Sequence, residues 1–217
     1  MKKLFLILIT ILGMGSFWLL SCSKSTPPNP CGPFVNRFIS TGLSLNTLKI
    51  LSYDSTYPRY NFDTLRISDT VVFNKLAIQL IPKMSFYIAL FQHKGYTFSL
   101  FNSAFACSPP IPYSDEQNDY IIITSTKDFD QSHKSGSNLQ DLFDVAILDK
   151  YKRIYYYRMS LKDYLATRPN TKDELILFLN KGPEESGEFS FKIEYSRTLG
   201  ADQKVFIVNS INVYIEN

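Results

Sequence analysis

Phe189-Ser190-Phe191-Lys192-Ile193-Glu194-Tyr195-Ser196 decides how the rest of the chain is read. Phe189, Phe191, Ile193 and Tyr195 fall on one face of an extended strand. Ser190, Lys192, Glu194 and Ser196 fall on the other. Side chains alternate across a strand, so the pattern predicts one buried and one wet face. Leu199-Gly200-Ala201-Asp202 then supplies a turn, Lys204 to Val208 returns, and Ile211, Val213 and Ile215 close the chain with the same alternation. These last forty residues predict antiparallel sheet.

Working back toward the N-terminus, Leu175 to Leu179 is five consecutive apolar residues. Thr171 with Glu174 can cap a helix there and Gly182 can end it, while a buried strand suits the run equally. The surrounding strands favour strand. Ser160-Leu161-Lys162-Asp163 reads as a capping box opening a short helix with Leu161, Tyr164 and Leu165 inward, stopped by Pro169. Ile154 to Met159 is a strand with three consecutive tyrosines. Leu139, Leu142 and Phe143 suggest one helical turn capped by Ser137. Tyr120 to Thr124, apolar on both faces, predicts a central strand. Ser108 to Asp119 is rich in proline and acid and reads as a loop.

Lys75 to Ile81 alternates and is expected to stop at Pro82. Ser85 to Phe91 and Tyr96 to Ala106 flank His93-Lys94-Gly95 as a candidate hairpin. In Phe34 to Tyr53 the alternation changes phase near Asn46-Thr47, which suggests a bulge or bend. Tyr57-Pro58 and the polar residues to Asp63 read as loop. Eight to ten strands at this spacing predict a mainly β fold. The expected form is a two-sheet antiparallel sandwich, immunoglobulin-like in outline, with one or two short helices. No repeat period is present.

The N-terminus has a different character. Lys2 and Lys3 precede an apolar run, Leu4 to Leu20, that falls short of the roughly 20 residues needed to span a bilayer. The run ends in Leu19-Leu20-Ser21-Cys22, which resembles the lipobox of bacterial lipoproteins, with Leu20 at a position where a small residue is more usual. The chain as a whole resembles uncharacterised outer-membrane lipoproteins of Gram-negative bacteria. The resemblance implies a signal peptide over 1–21 and lipidation of Cys22, with palmitate among the acyl chains. Several acyl chains are needed because one alone holds a protein only marginally. It also implies an outer-membrane destination, because Ser23 carries no acidic retention signal. Whether the domain faces the periplasm or the cell surface stays open. Ser23 to Pro30 reads as a flexible tether, so 22–30 is anchor and linker and 31–217 a single folded domain.

The chain has 217 residues and a formal charge of +3, which falls to +1 once Lys2 and Lys3 leave with the leader. That makes no case for nucleic acid. Seventeen Phe and fourteen Tyr favour a sizeable β core. Cys31 and Cys107 remain after Cys22 and suggest a disulfide in an oxidising compartment, with two free buried thiols as the alternative. Such a bridge stabilises by roughly 4 kcal/mol in the loop-entropy view.

Catalytic signatures are sparse. HExxH, CxxC and GxSxG are absent, and having only two histidines, His93 and His133, argues against a multi-histidine zinc site. No cofactor or metal is expected. Asp128-Phe129-Asp130 with His133 is the best polar cluster. The two aspartates share a face if the segment is a strand, and simply cap turns if it is a loop, the reading favoured here. Ser114 to Asp119 is a second acidic stretch read the same way. Ser132 or Ser135 beside His133 and an Asp invites a triad reading, but local adjacency is poor evidence for one, since triad members converge from distant segments. Tyr155 and Tyr157 share one face of their strand and are candidate binding residues for a sugar ring or protein partner, against ordinary cross-strand packing. Two readings follow. The first is a non-enzymatic, membrane-anchored module that binds a glycan or envelope protein or serves as a scaffold. The second is an envelope hydrolase with a site assembled around Asp128, Asp130 and His133.

Overall fold

The computed structural model describes residues 37–54, 59–87, 113–149, 154–172 and 174–217, without the side chains of 148–149 and 154–157. Cys22, Cys31, Cys107, the tether and the expected strand over Tyr96 to Ala106 lie outside these residues. The described residues fall within one compact unit. In chain order they form β1 (Arg37–Asp54), β2 (Arg59–Thr64), β3 (Thr70–Val72), β4 (Leu76–Tyr87), β5 (Tyr113–Ser114), β6 (Gln117–Ser125), β7 (Phe143–Asp149) and β8 (Ile154–Ser160). After these come the helix α1 (Leu161–Ala166), then β9 (Leu175–Leu179), β10 (Gly187–Phe189), β11 (Phe191–Leu199), β12 (Asp202–Asn209) and β13 (Val213–Glu216). Short 3-10 turns occupy Phe73–Lys75 and Gln140–Leu142.

The fold is the mainly β sandwich that the alternation predicts. One sheet runs β2-β1-β4-β9-β7-β8, with β5 added beside β1. Two three-stranded sheets run β10-β13-β3 and β12-β11-β6. Pairing is antiparallel except β5 on β1 and β3 on β13. One core cluster draws Leu76, Ile78 and Leu177 from the large sheet, Val213 and Ile215 from the second, and Ile121, Ile123 and Ile193 from the third. The two small sheets therefore cover one face of the large one.

The large sheet also buries part of its other face. Leu48, Ile50, Ala77, Ala146, Ile176 and Phe178 form a second cluster, against which Tyr60 and Phe62 of β2 pack. The Tyr60 ring lies 4.8 Å from Phe178 and the Arg158 guanidinium 4.8 Å from the same ring. β9 is apolar at every position because it is central and covered on both faces. The same fact corrects the reading of β1. Its register against β4 runs unbroken from Gly42 to Lys49, so no bulge sits at Asn46-Thr47. Leu43 and Leu45 face the first cluster while Leu48 and Ile50 face the second. The phase change marks a switch of buried face. The bulges lie at Ser40/Gly42 against β4 and at Ile50/Ser52 against β2.

Other expectations are corrected as well. The residues from Tyr60 to Asp63 belong to β2, and Tyr113–Ser114 and the start of β6 fall inside the stretch read as loop. Pro82 does not stop β4. The pairing with β9 ends at Leu80↔Leu175, so at Pro82 β4 has a neighbouring strand only on the β1 side and is in effect an edge strand, where proline is tolerated. β6 is an edge strand, not a central one. Its free edge is covered by loops: Leu139 N–H donates to Ile123 O at 2.7 Å, and Asn118 N–H donates to Pro169 O at 2.9 Å. Asn138, not Ser137, accepts from Gln140 N–H at the 3-10 turn. Ile211 lies outside β13 and packs partly buried on the core.

The deciding stretch itself divides. Phe189 belongs to β10 and pairs with Val213, whereas Phe191 begins β11 and pairs with Ser125. At Ser190 the chain crosses from one sheet to another. Ser190 O accepts from Thr126 N–H at 3.1 Å, and Ser210 Oγ accepts from Phe191 N–H at 2.8 Å, so the crossing leaves these backbone groups satisfied. Alternation survives the crossing, which keeps Phe189, Phe191, Ile193 and Tyr195 on the core side. Gly200 carries the positive φ of 62° in the two-residue β11–β12 turn. α1 follows the sequence reading: Ser160 Oγ accepts from Asp163 N–H at 3.0 Å, and Leu161, Tyr164 and Leu165 are its buried residues.

Candidate functional site

The segment after β6 is a loop, so Asp128 and Asp130 do not share a strand face. Phe129 between them is 1% exposed and packs against Phe189 and Phe191. That anchors the loop. Asp128 Oδ1 accepts from Ser135 N–H at 2.9 Å and its Oδ2 lies 3.1 Å from Lys134 Nζ. Asp130 turns elsewhere. Its Oδ1 accepts from Ser132 N–H and His133 N–H, each at 2.8 Å, and meets His133 Nδ1 at 2.8 Å. Its Oδ2 accepts from Lys181 Nζ at 2.7 Å. The Lys181 ammonium first, then the His133 contacts, hold the Asp130 carboxyl well below the usual carboxylate range.

His133 Nε2 lies 3.2 Å from Asp141 Oδ1. Both ring nitrogens therefore face carboxylates, leaving neither for a hydroxyl. Ser135 Oγ donates to Thr126 O at 3.0 Å. A nucleophile–base pair needs the hydroxyl on the ring nitrogen opposite the acid, and this arrangement lacks it. The groups that sequence places near one another act as loop braces. Among the described residues, no three His, Cys, Asp or Glu side chains converge as metal ligands.

The loop bond has a consequence for acid stability. Asp130 has a lowered folded-state pKa, so its contribution is complete above the unfolded carboxylate range near pH ~4 and is lost as pH falls toward the folded value. Asp130→Asn is expected to destabilise at pH 7 by about 1.5–3 kcal/mol, the range for hydrogen bonds to a charged group. The gap to wild type narrows below pH ~4. Urea midpoints at pH 7 and pH 3 check this, and a gap unchanged between the two would contradict it.

Tyr155 and Tyr157 lie on β8, whose register against β7 shifts between Val145↔Met159 and Ile147↔Tyr156. Their side chains are outside the described residues.

The second acidic stretch is not solvated. Asp115 pairs with Arg37, Asp119 meets Arg168 at 3.1 Å, and Glu116 is 2% exposed. Glu116 Oε2 accepts from Arg197 at 2.8 Å, from Ser40 N–H at 2.9 Å, from Ser40 Oγ at 3.0 Å and from Ser114 Oγ at 3.3 Å. Arg197 has a fully buried side chain, donates also to Ser40 O, and lies 4.3 Å from the centre of the Phe206 ring. Burial lowers the Arg197 pKa from its ordinary value, opposed by the Glu116 charge. Beside this pair, Tyr195 and Thr171 donate to Asn118 Oδ1 and Asn118 Nδ2 donates to the Tyr164 oxygen. Burial pushes the Tyr195 phenol up to about 12 and raises Tyr164 above its ordinary value. Sequence reading missed this polar core. The available signal was Arg197 itself, in register with the inward set Phe191, Ile193 and Tyr195, because a charge at an inward strand position requires a partner.

Comparison with family models, with characterised proteins and with solved structures found no match.

Proposed function

We propose that the chain is a lipid-anchored, non-enzymatic module of the Gram-negative cell envelope. It hangs from Cys22 at the outer membrane and binds a glycan or envelope protein, or serves as a scaffold, through its β domain. A Cys31–Cys107 disulfide belongs to the same reading. The observation that carries it over a hydrolase is the engagement of His133 by Asp130 and Asp141 on both ring nitrogens. The lipobox Leu19-Leu20-Ser21-Cys22 supports the anchor. Among the described residues no helix is long and apolar enough to cross a membrane.

Metabolic labelling with a palmitate analogue tests the anchor. Wild type is expected to take the label and Cys22→Ala to lose it entirely. Label retained by Cys22→Ala, or absent from wild type, would remove the anchor from the reading. Binding is tested with the pair Tyr155→Ala and Tyr157→Ala on an array of bacterial envelope glycans. The expected result is a loss of about tenfold or more in affinity with the melting temperature unchanged, in line with an aromatic anchor in a recognition surface. Full binding by the double variant would clear both tyrosines of that role.

A further inference from the structure

We propose that a cavity between β1 and the β11–β12 hairpin binds a small zwitterion, an α-amino acid with a short side chain. Its ammonium sits on Glu116 Oε1 and its carboxylate on Lys204. The cavity is about 150 Å³ and is lined by Ile39, Glu116, Arg197, Leu199, Asp202 and Lys204. That is room for several waters or for one molecule of amino-acid size.

The asymmetry of Glu116 points to a ligand. Its Oε2 accepts from four donors while its Oε1 accepts from none among the described residues. Among the described residues, the buried side-chain polar atoms left without a partner are Thr47 Oγ1 and Arg197 Nε. Glu116 Oε1 is not one of them, so on a residue only 2% exposed it keeps a small accessible surface, and Glu116 lines the cavity. A carboxylate oxygen open at the base of a pocket accepts from an ammonium or other donor. Arg197 Nε, buried without an acceptor, is a second sign that the buried pair is incompletely satisfied as it stands.

The charges of the wall select the ligand. Glu116 and Arg197 cancel at the base, and the exposed Asp202 and Lys204 cancel at the mouth. A lone anion or lone cation gains little from such a wall. A molecule whose two opposite charges are separated by two bonds meets Glu116 at one end and Lys204 at the other. Ile39 and Leu199 supply apolar sides that suit a short aliphatic group. The site is separate from Tyr155 and Tyr157, and it needs neither the lipid nor the membrane.

NMR titration of the full chain with L-alanine, methylammonium and acetate tests the proposal. L-alanine is expected to give saturable shifts at the amides of Glu116, Leu199 and Lys204. Methylammonium and acetate should each bind at least about tenfold more weakly, since each lacks one charged hydrogen bond. Lys204→Ala, an exposed position, is expected to weaken L-alanine by about tenfold at an unchanged melting temperature. Three results overturn the proposal: no saturable shift with L-alanine, methylammonium binding as tightly as L-alanine, or Lys204→Ala binding like wild type.

Discussion

Arg197→Met is expected to lower the unfolding free energy by about 3–5 kcal/mol, the usual cost of leaving one member of a buried ion pair alone. The Arg197 side chain is 0% exposed and Glu116 2%. Removing the guanidinium leaves the almost fully buried Glu116 carboxylate held by Ser40 and Ser114 but with no positive charge. It also removes a donor from Ser40 O and the cation over the Phe206 ring. The double variant Arg197→Met with Glu116→Gln removes both charges. It is expected to recover more than half of the loss, because an uncharged pair of similar volume leaves no unpaired charge buried. Urea unfolding with an unchanged slope is the measurement. A single-variant loss below about 1 kcal/mol would mean that Glu116 is screened as fully as a surface carboxylate, despite its 2% exposure.

Phe191→Ala is the second large effect, also about 3–5 kcal/mol. The ring is 0% exposed, stands edge-on to Phe143 at 5.9 Å and lies 6.5 Å from Phe129. Phe129 in turn holds the loop that carries Asp130 and His133. Truncation opens a cavity where the β10 and β11 segments meet, and rigid β strands cannot close around it. Ile122→Ala on the outward side of β6 serves as the control. Its side chain is only partly covered, so the expected loss is about 1 kcal/mol. Equal losses at the two positions would contradict the assignment of inner and outer faces.

The contrast between these sites shows what alternation can and cannot reveal. The inward set Phe191, Ile193 and Tyr195 was legible because strand geometry forces every second side chain to one side. The α1 cap at Ser160 was equally legible, since its partner Asp163 is three residues away. Pro82 misled because the cost of a missing N–H depends on whether a strand lies on that side. β9 ends before reaching it. Tyr120 to Thr124 misled for a related reason. An apolar run does not tell whether a strand's edge is paired with another strand or covered by loop, and at β6 the free edge is covered by the segments around Leu139 and Pro169.

The candidate site was less legible than the fold. Asp128, Asp130 and His133 are close in sequence, which made them look like a cluster. Asp130 does hold His133, but Asp128 turns to Ser135 and Lys134, and the positive charge on Asp130 comes from Lys181, 51 residues away. Glu116 and Arg197 are separated by 81 residues and no local pattern joins them.

Local chemistry by itself determined that this chain forms alternating strands, a capped helical turn and a glycine turn at Gly200, because each depends on neighbours within a few residues. Only the tertiary structure decided which strands became central, where the chain passes between sheets at Ser190, and which charges are buried together. Those outcomes depend on burial, and burial is set by segments that meet across the fold, where desolvation makes the partner of a charge matter more than its place in the chain.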